Sequence, residues 1–382
     1  MSVTFAEGFT AGSVAAGLKS SGKLDLTVIH NLGPKDDAAA VFTSNRARAN
    51  PVLWSMEAVK DGAARAVVLN SGGANCYTGA QGFQTTHKSA ELVAEALDLS
   101  AQDVLVCSTG LIGVQLDTTK LYPAIGSACQ SMSTDGGLES AQAIMTTDSV
   151  PKLATATSAA GWKIGGMAKG AGMLAPALAT MLVVITTDAE VSDIDDHLRA
   201  ATSVSFDRLD SDGCTSTNDT VILMSSGASG IAADAKEFQE LLVDVCMDLA
   251  RQLMKDAEGA AHEIAIEVSG AASEADALEV GRAIARNNLF KTAIYGNDPN
   301  WGRILAAIGT TSAEYDPYNI DVEINGVRVS SKGGPDQDRS LVNLVPREVF
   351  IRIGLNAGNE RATILTNDLT KEYVIENSEY SS

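Results

Sequence analysis

Short apolar runs punctuated by turn residues alternate with amphipathic stretches along the chain. Ala66-Val-Val-Leu-Asn70 and Val104-Leu-Val-Cys107 each lead into a glycine-containing turn and predict buried strands. Met181-Leu-Val-Val-Ile185 is rich in β-branched residues and predicts a strand near the centre of a sheet. Asp321-Val-Glu-Ile and Val327-Arg-Val-Ser flank Asn325-Gly326, and a type I′ turn needs φ > 0 at both central residues, so this segment predicts a hairpin. Between Glu237 and Lys255, Phe238, Leu241, Leu242, Val245, Leu249 and Leu253 recur at helical spacing and predict an amphipathic helix. Strands interleaved with helices predict α/β or α+β layers around one core or two.

Composition narrows the class. With 382 residues, 45% hydrophobic and 20% charged, the chain can bury a sizeable core and is not disordered as a whole. Its 28 Lys and Arg against 48 Asp and Glu give a formal charge of −20 without any polybasic run, which argues against nucleic-acid and anionic-membrane partners. The N-terminal stretch lacks a basic segment followed by an apolar one, and no apolar stretch reaches bilayer length, so the chain reads as a soluble, cytoplasmic protein. Cys76, Cys107, Cys129, Cys214 and Cys246 occur singly, and His30, His87, His197 and His262 are scattered. Neither a disulfide framework nor a metal site is predicted. Acidity is uneven: residues 1–179 hold 12 Lys/Arg and 14 Asp/Glu, whereas 180–382 hold 16 and 34. No repeat or low-complexity linker marks a boundary, so a boundary must come from a site.

Several motifs admit a plain and a chemical reading. Gly165-Gly-Met-Ala-Lys-Gly-Ala-Gly172 could cradle an anion beside Lys169, but its spacing fits neither GxxxxGK[ST] nor GxGxxG, and composition favours a tight or flexible loop. Thr109-Gly110 follows a strand-like run and reads as a turn whose amides could face an oxyanion. Thr146-Thr147-Asp148 reads equally well as a helix cap. Asp256-Ala-Glu-Gly259 puts carboxylates at the unfavourable end of a helix dipole, so it is either solvated or Glu258 has a partner. Trp301, in Asn297-Asp-Pro-Asn-Trp-Gly-Arg303, either packs under a loop or shapes a site. In Pro176-Ala-Leu-Ala-Thr-Met-Leu182, catalysis by Thr180 would need an activating base. Freeing the residue's own α-amine, whose reference pKa is about 7.7–8.0, would supply one, at the cost of a backbone cut before Thr180.

Taken in order, Cys107-Ser-Thr-Gly-Leu-Ile-Gly113, Ile144-Met-Thr-Thr-Asp148, the glycine-rich segment through Met173, Leu178-Ala-Thr-Met-Leu182, Thr215-Ser-Thr-Asn-Asp219, Asp256-Ala-Glu-Gly259, Asp298-Pro-Asn-Trp-Gly-Arg303 and Asn377-Ser-Glu-Tyr-Ser-Ser382 resemble the ornithine acetyltransferase family, the bifunctional glutamate N-acetyltransferases of arginine biosynthesis. The resemblance runs essentially from end to end. It implies an α/β/β/α-like layered fold, similar in mechanism to N-terminal-nucleophile hydrolases. It also implies self-cleavage between Ala179 and Thr180, giving an α chain of residues 1–179 and a β chain of residues 180–382 that share one intertwined core, two of each in the assembly.

The resemblance assigns Thr180 as nucleophile and Thr109 with Gly110 as the oxyanion-stabilising pair. Its substrate contacts map to Thr146, Lys169, Thr180, Glu258, Asn377 and Ser382. The implied reaction passes acetyl from N2-acetyl-L-ornithine to L-glutamate through acetyl-Thr180, without a cofactor; acetyl-CoA is a candidate second donor. Replacing Gly110 is expected to matter little, because its amide would survive. Two positions depart from the family pattern: Gly73 stands where Asn is usual, and His262 where many relatives carry Lys. Two alternatives stay open, an N-terminal-nucleophile hydrolase or aminopeptidase and a non-catalytic amino-acid-binding protein.

Overall fold

The computed structural model describes residues 2–172 and 181–379. They form two compact units, one of residues from 2–207 with 214–256, the other of 208–213 with 257–379.

Two sheets build the first unit. One runs in the order β1 (Phe9–Val14), β2 (Leu26–Asn31), β4 (Ala66–Asn70), β5 (Val104–Ser108). The other runs β3 (Ala38–Phe42), β9 (Thr220–Ser225), β8 (Leu182–Thr187), β7 (Lys163–Lys169), β6 (Lys152–Thr157). The helices are α1 (Asn50–Ala58), α2 (Gly79–Leu97), α3 (Thr118–Gln130), α4 (Gly137–Ala143), α5 (Ile194–Val204) and α6 (Ala235–Lys255).

Strand period fixes the layers. Along β4 and β5, Val67, Leu69, Leu105 and Cys107 face one way and meet Met167, Leu182, Val184, Ile222 and Met224 of the second sheet. Their neighbours Ala66, Val68, Val104 and Val106 face the other way, onto Val93 of α2 and Leu121 and Ile125 of α3. On the far side of the second sheet, α6 lies so close to β7 that a Cβ at Gly166 would come within 3.1 Å of Leu249. The layer order is therefore helix, sheet, sheet, helix, the α/β/β/α arrangement implied by the resemblance. Strands from both sides of the Ala179–Thr180 bond share the second sheet, since β6 and β7 precede it and β8 and β9 follow it.

The second unit holds one sheet in the order β13 (Gly334–Pro335), β12 (Val327–Ser331), β11 (Asp321–Ile324), β14 (Glu348–Gly354), β10 (Glu263–Ala271), β15 (Glu360–Asn367). Its apolar face, with Ile264, Ile266, Ile351 and Ile353, packs against α7 (Glu274–Ala285), α8 (Asn288–Tyr295) and α9 (Trp301–Ile308). Its other face carries the Glu267–Arg352–Glu323 ion pairs. A last helix, α10 (Lys371–Glu379), closes the described chain.

Most predicted elements are present. Asn325 and Gly326 both have positive φ, +45° and +81°, in the hairpin of β11 and β12. Trp301 takes the plain reading: it opens α9 behind the Asn300 cap and packs on the core of the second unit. The glycine-rich segment is a correction. Gly165 to Lys169 is strand, because both faces of β7 are covered and a Cβ at Gly165 would lie 2.1 Å from the Ser2 carbonyl oxygen. Thr146-Thr147-Asp148 caps no helix either: the next element is β6, and the Asp148 carboxylate serves a different purpose.

Candidate active site

Register brings the first group of predicted residues together. In the second sheet, Lys169 at the end of β7 pairs with Leu182, and Leu182 pairs with Thr220. In the first sheet, parallel β4 and β5 end side by side at Asn70 and Ser108, joined by Asn70 Nδ2 donating to Ser108 Oγ at 2.6 Å. Thr109 follows directly, its N–H donating to Asn70 O at 3.0 Å.

Thr109 is buried, and the equally buried Lys169 Nζ donates to its Oγ at 3.1 Å. With an ammonium filling one lone pair, the Thr109 hydroxyl proton is turned to another acceptor. Gly110 has φ +129° and packs against Gly73, whose own N–H donates to Thr109 O at 3.0 Å. A Cβ at Gly110 would lie 2.9 Å from Gly73 N and Cα. Substitution there strains and displaces the loop, correcting the expectation that it would be silent. At Gly73, in contrast, a Cβ would come no nearer than 3.2 Å to the Leu116 side chain and 4.0 Å to the Leu111 carbonyl oxygen, so the missing Asn is not forced by the backbone.

Asp148 ties this group together. Its Oδ1 accepts from Gly170 N–H at 2.6 Å and from Lys152 Nζ at 2.5 Å, and its Oδ2 accepts from the N–H of half-buried Thr146 at 2.9 Å. Burial opposes its charge, but the Lys169 and Lys152 ammonium groups with the Gly170 N–H outweigh that and hold the carboxyl below the ordinary aspartate range. Lys152, fully buried, also donates at 2.5 Å to Asp256, the residue that ends α6. That bond offsets the cost of a carboxylate at the helix C-terminus. Nearby, Lys19 Nζ donates to Met145 O at 2.7 Å, and burial pushes its pKa down to about 8 despite Asp25, with Lys169 adding to the depression.

Glu258 and Asn377 belong to the second unit. Gly259 turns with φ +59° so closely against Tyr373 that a Cβ would lie 2.2 Å from the Tyr373 nitrogen. Thr370 Oγ donates to Gly259 O at 2.6 Å, fixing the start of α10. Asn377 Nδ2 then reaches Glu258 Oε2 at 3.0 Å, so Glu258 has the partner its position called for. Glu258 shares a pocket with Asp212, Lys291, Asn367, Asp368 and Tyr373. Burial pushes Lys291 down to about 8 against the opposing charges of Asp212, Asp210 and Asp368. His262 has a structural explanation: Nδ1 bonds Asp368 Oδ2 at 2.7 Å and Nε2 bonds Leu344 O at 3.0 Å.

Ala179, Thr180 and Ser382 lie outside the described residues. Among the described residues no group of three or more His, Cys, Asp or Glu side chains could hold a metal ion. Sequence reasoning passed over Asp148, Lys152 and Lys19 as site residues. For Asp148 the signal was its place in a quoted motif; the two lysines carried none.

The family model described as the ArgJ family matches residues 10–382. The chain is 59% identical, over 100% of both chains, to the arginine biosynthesis bifunctional protein ArgJ of Streptomyces avermitilis, and 59% identical over the same shares to that of Thermobifida fusca. A solved structure of ornithine acetyltransferase complexed with ornithine, from Mycobacterium tuberculosis, aligns with 47% of this chain and 96% of its own at 48% identity and a TM-score of 0.46. With near-complete coverage by the family model and these end-to-end relatives, the chain belongs to the ArgJ family.

Proposed function

We propose that this chain is a self-cleaving glutamate N-acetyltransferase of arginine biosynthesis that moves acetyl from N2-acetyl-L-ornithine to L-glutamate through acetyl-Thr180. The observation that carries the reading is the buried Lys169–Thr109 hydrogen bond beside Gly110, which leaves a hydroxyl proton and a backbone N–H as a preorganised pair of donors.

Cleavage between Ala179 and Thr180 frees the Thr180 α-amine. Thr180 Oγ attacks the acetyl carbonyl carbon while that amine takes the hydroxyl proton. The negative charge reaching the carbonyl oxygen is met by Thr109 O–H and Gly110 N–H; losing one such donor costs about 2.7–4 kcal/mol of barrier. As the intermediate collapses, the carbon–nitrogen bond to ornithine breaks and the ammonium returns its proton to the leaving amine. The amine of glutamate then attacks the acetyl carbon of acetyl-Thr180 and gives a proton to the Thr180 α-amine; the Oγ–carbon bond breaks, Oγ takes that proton back, and N-acetylglutamate departs.

Lys169, with Thr146, is assigned to a substrate carboxylate. Glu258, with Asn377, is assigned to an ammonium, and Ser382 to a further substrate contact. Acetyl-CoA offers the same electrophile and is the second donor proposed, in keeping with the bifunctional relatives. The α and β fragments, two of each, are proposed to stay together, because separating β7 from β8 would expose sheet edges and core. Among the described residues no helix is long and apolar enough to cross a membrane; a cytoplasmic location is proposed.

The test is acetylornithine turnover with and without glutamate. Transfer predicts equal amounts of ornithine and N-acetylglutamate with little acetate. Acetate release at a rate indifferent to glutamate would contradict it and favour a hydrolase.

A further inference from the structure

The motif Thr215-Ser-Thr-Asn-Asp219 has no part in the reaction as derived, yet its last two side chains reach both halves of the catalytic group. Asp219 is fully buried and precedes β9, which runs parallel to β8. Its Oδ1 accepts from Met181 N–H at 3.1 Å, and the following residue, Thr220, donates its N–H to Met181 O at 3.2 Å. Both backbone polar groups of the residue next to Thr180 are thereby pinned. Asn218, also buried, turns the other way: its Nδ2 donates to Ser108 O at 2.8 Å and to Ala74 O at 2.6 Å. Ser108 is the residue next to Thr109.

We propose that Asn218 and Asp219 are positioning residues that set the nucleophile against the oxyanion donors, Asp219 by holding the Met181 amide and Asn218 by holding the Ser108 carbonyl. The inference rests on the reading of Thr180 as nucleophile given above. A dipeptide suits the task because the Met181 amide directly precedes β8 of one sheet and the Ser108 carbonyl ends β5 of the other, and adjacent side chains reach both. Tight positioning matters because a displacement of about 1 Å can cost about 10²-fold in rate.

The chemistry of Asp219 agrees. Its Oδ2 makes no hydrogen bond of normal geometry among the described residues, an expensive state for a buried carboxylate. Burial pushes its carboxyl well above the ordinary range, against the Met181 N–H, the Ser216 hydroxyl and N–H, and the Lys169 charge. What Met181 needs is a carbonyl-type oxygen at this point, and a neutral side chain of the same shape supplies it.

Three variants separate position from the carboxyl itself. Asp219→Ala removes the acceptor, Asp219→Asn keeps it without an ionisable group, and Asp219→Glu keeps the carboxyl but moves it by a methylene. Intact mass gives the fraction cut at Ala179–Thr180, and kcat and KM for acetylornithine are measured on the cut protein. Asp219→Ala and Asp219→Glu should cut slowly and lose about 10²-fold in kcat, with KM within about threefold. Asp219→Asn should keep cutting and hold kcat within about threefold of the parent. Should the Ala and Glu variants fail to fold, the isosteric Asn variant still decides the matter. A folded Asp219→Asn protein with kcat about 10²-fold below the parent's, or losses confined to KM, would overturn the inference. Parent protein that is itself uncut and inactive would overturn the reading of Thr180; active parent with an equally active Asp219→Ala variant overturns this inference alone.

Discussion

The two groups of candidate residues are built to opposite standards. In the first unit, Thr109, Lys169, Asp148 and Lys152 are all buried, and each is held by bonds from separate strands or turns. In the second, Glu258 is half-buried and Asn377 is exposed on α10, a helix with no buried residue. The difference matches the chemistry proposed for each group. Charge that appears on an oxygen only in the transition state is stabilised by donors already aimed at it. An amino-acid ammonium is present from the start, and a carboxylate at an accessible position can adjust to it. Damage to the first group should therefore appear in stability and kcat, and damage to the second in KM.

Lys152→Met should have the largest effect. It leaves Asp148 and Asp256 facing each other without their shared cation, and removing one partner of a buried pair costs about 3–5 kcal/mol. Urea unfolding measures it; a loss below about 1 kcal/mol, the range of exposed pairs, would mean the cluster is not truly desolvated.

Thr109→Ala comes next. With one oxyanion donor gone, kcat should fall by about 10²–10³-fold while KM barely moves. Gly110→Ala should fall into the same class despite keeping its amide, because φ +129° and the 2.9 Å approach to Gly73 force the loop to shift. Wild-type kcat in either variant would remove these two residues from the oxyanion site.

Glu258→Gln should show the opposite signature. Losing a charged hydrogen-bond partner is worth about 1.5–3 kcal/mol, so KM for acetylornithine should rise roughly tenfold to a hundredfold with kcat little changed. A fall in kcat alone would erase the contrast between the groups.

Smallest is a pH effect that sharpens the assignment of the base. Activity should rise with pH through the range of a free α-amine, about 7.7–8.0, since only the neutral amine accepts the Thr180 proton. Lys19, held at about 8, titrates in the same window. Its folded value lies below the ordinary 10.5, so between the two the unfolded chain binds the extra proton and stability rises with pH. Lys291, also held at about 8, adds to the same slope, so Lys19→Gln should reduce that stability slope without removing it and leave the activity profile in place. A profile that vanishes with Lys19 would transfer the titration to this side chain.

Legibility in the sequence tracked how local each interaction is. Ala66 to Asn70, the Asn325-Gly326 turn and the helix ending at Lys255 follow from period and turn chemistry among near neighbours, and all three are present. The strand through Gly165 and Gly166 was hidden because its glycines answer to Ser2 and Leu249, distant in sequence, and not to the need for a loop. Asp148 looked like a cap because its true partners, Lys152 and Gly170, are set by the fold, and Asp256 joins them through Lys152 and Ser149. Thr109 and Gly110 were assigned through the resemblance; periodicity had nothing to say about the Lys169 ammonium beside them.

The covalent step is the centre of the proposed mechanism, and one measurement reaches it directly. Protein mixed with N2-acetyl-L-ornithine without acceptor, quenched within a turnover and weighed intact, should show the 180–382 fragment heavier by one acetyl group on Thr180. Added L-glutamate should remove that mass as N-acetylglutamate, and Thr180→Ala protein should remain uncut and unlabelled. An unlabelled fragment throughout a rapid-quench series, in protein that transfers acetyl at full rate, would contradict acetyl-Thr180 and require direct transfer between the two bound substrates.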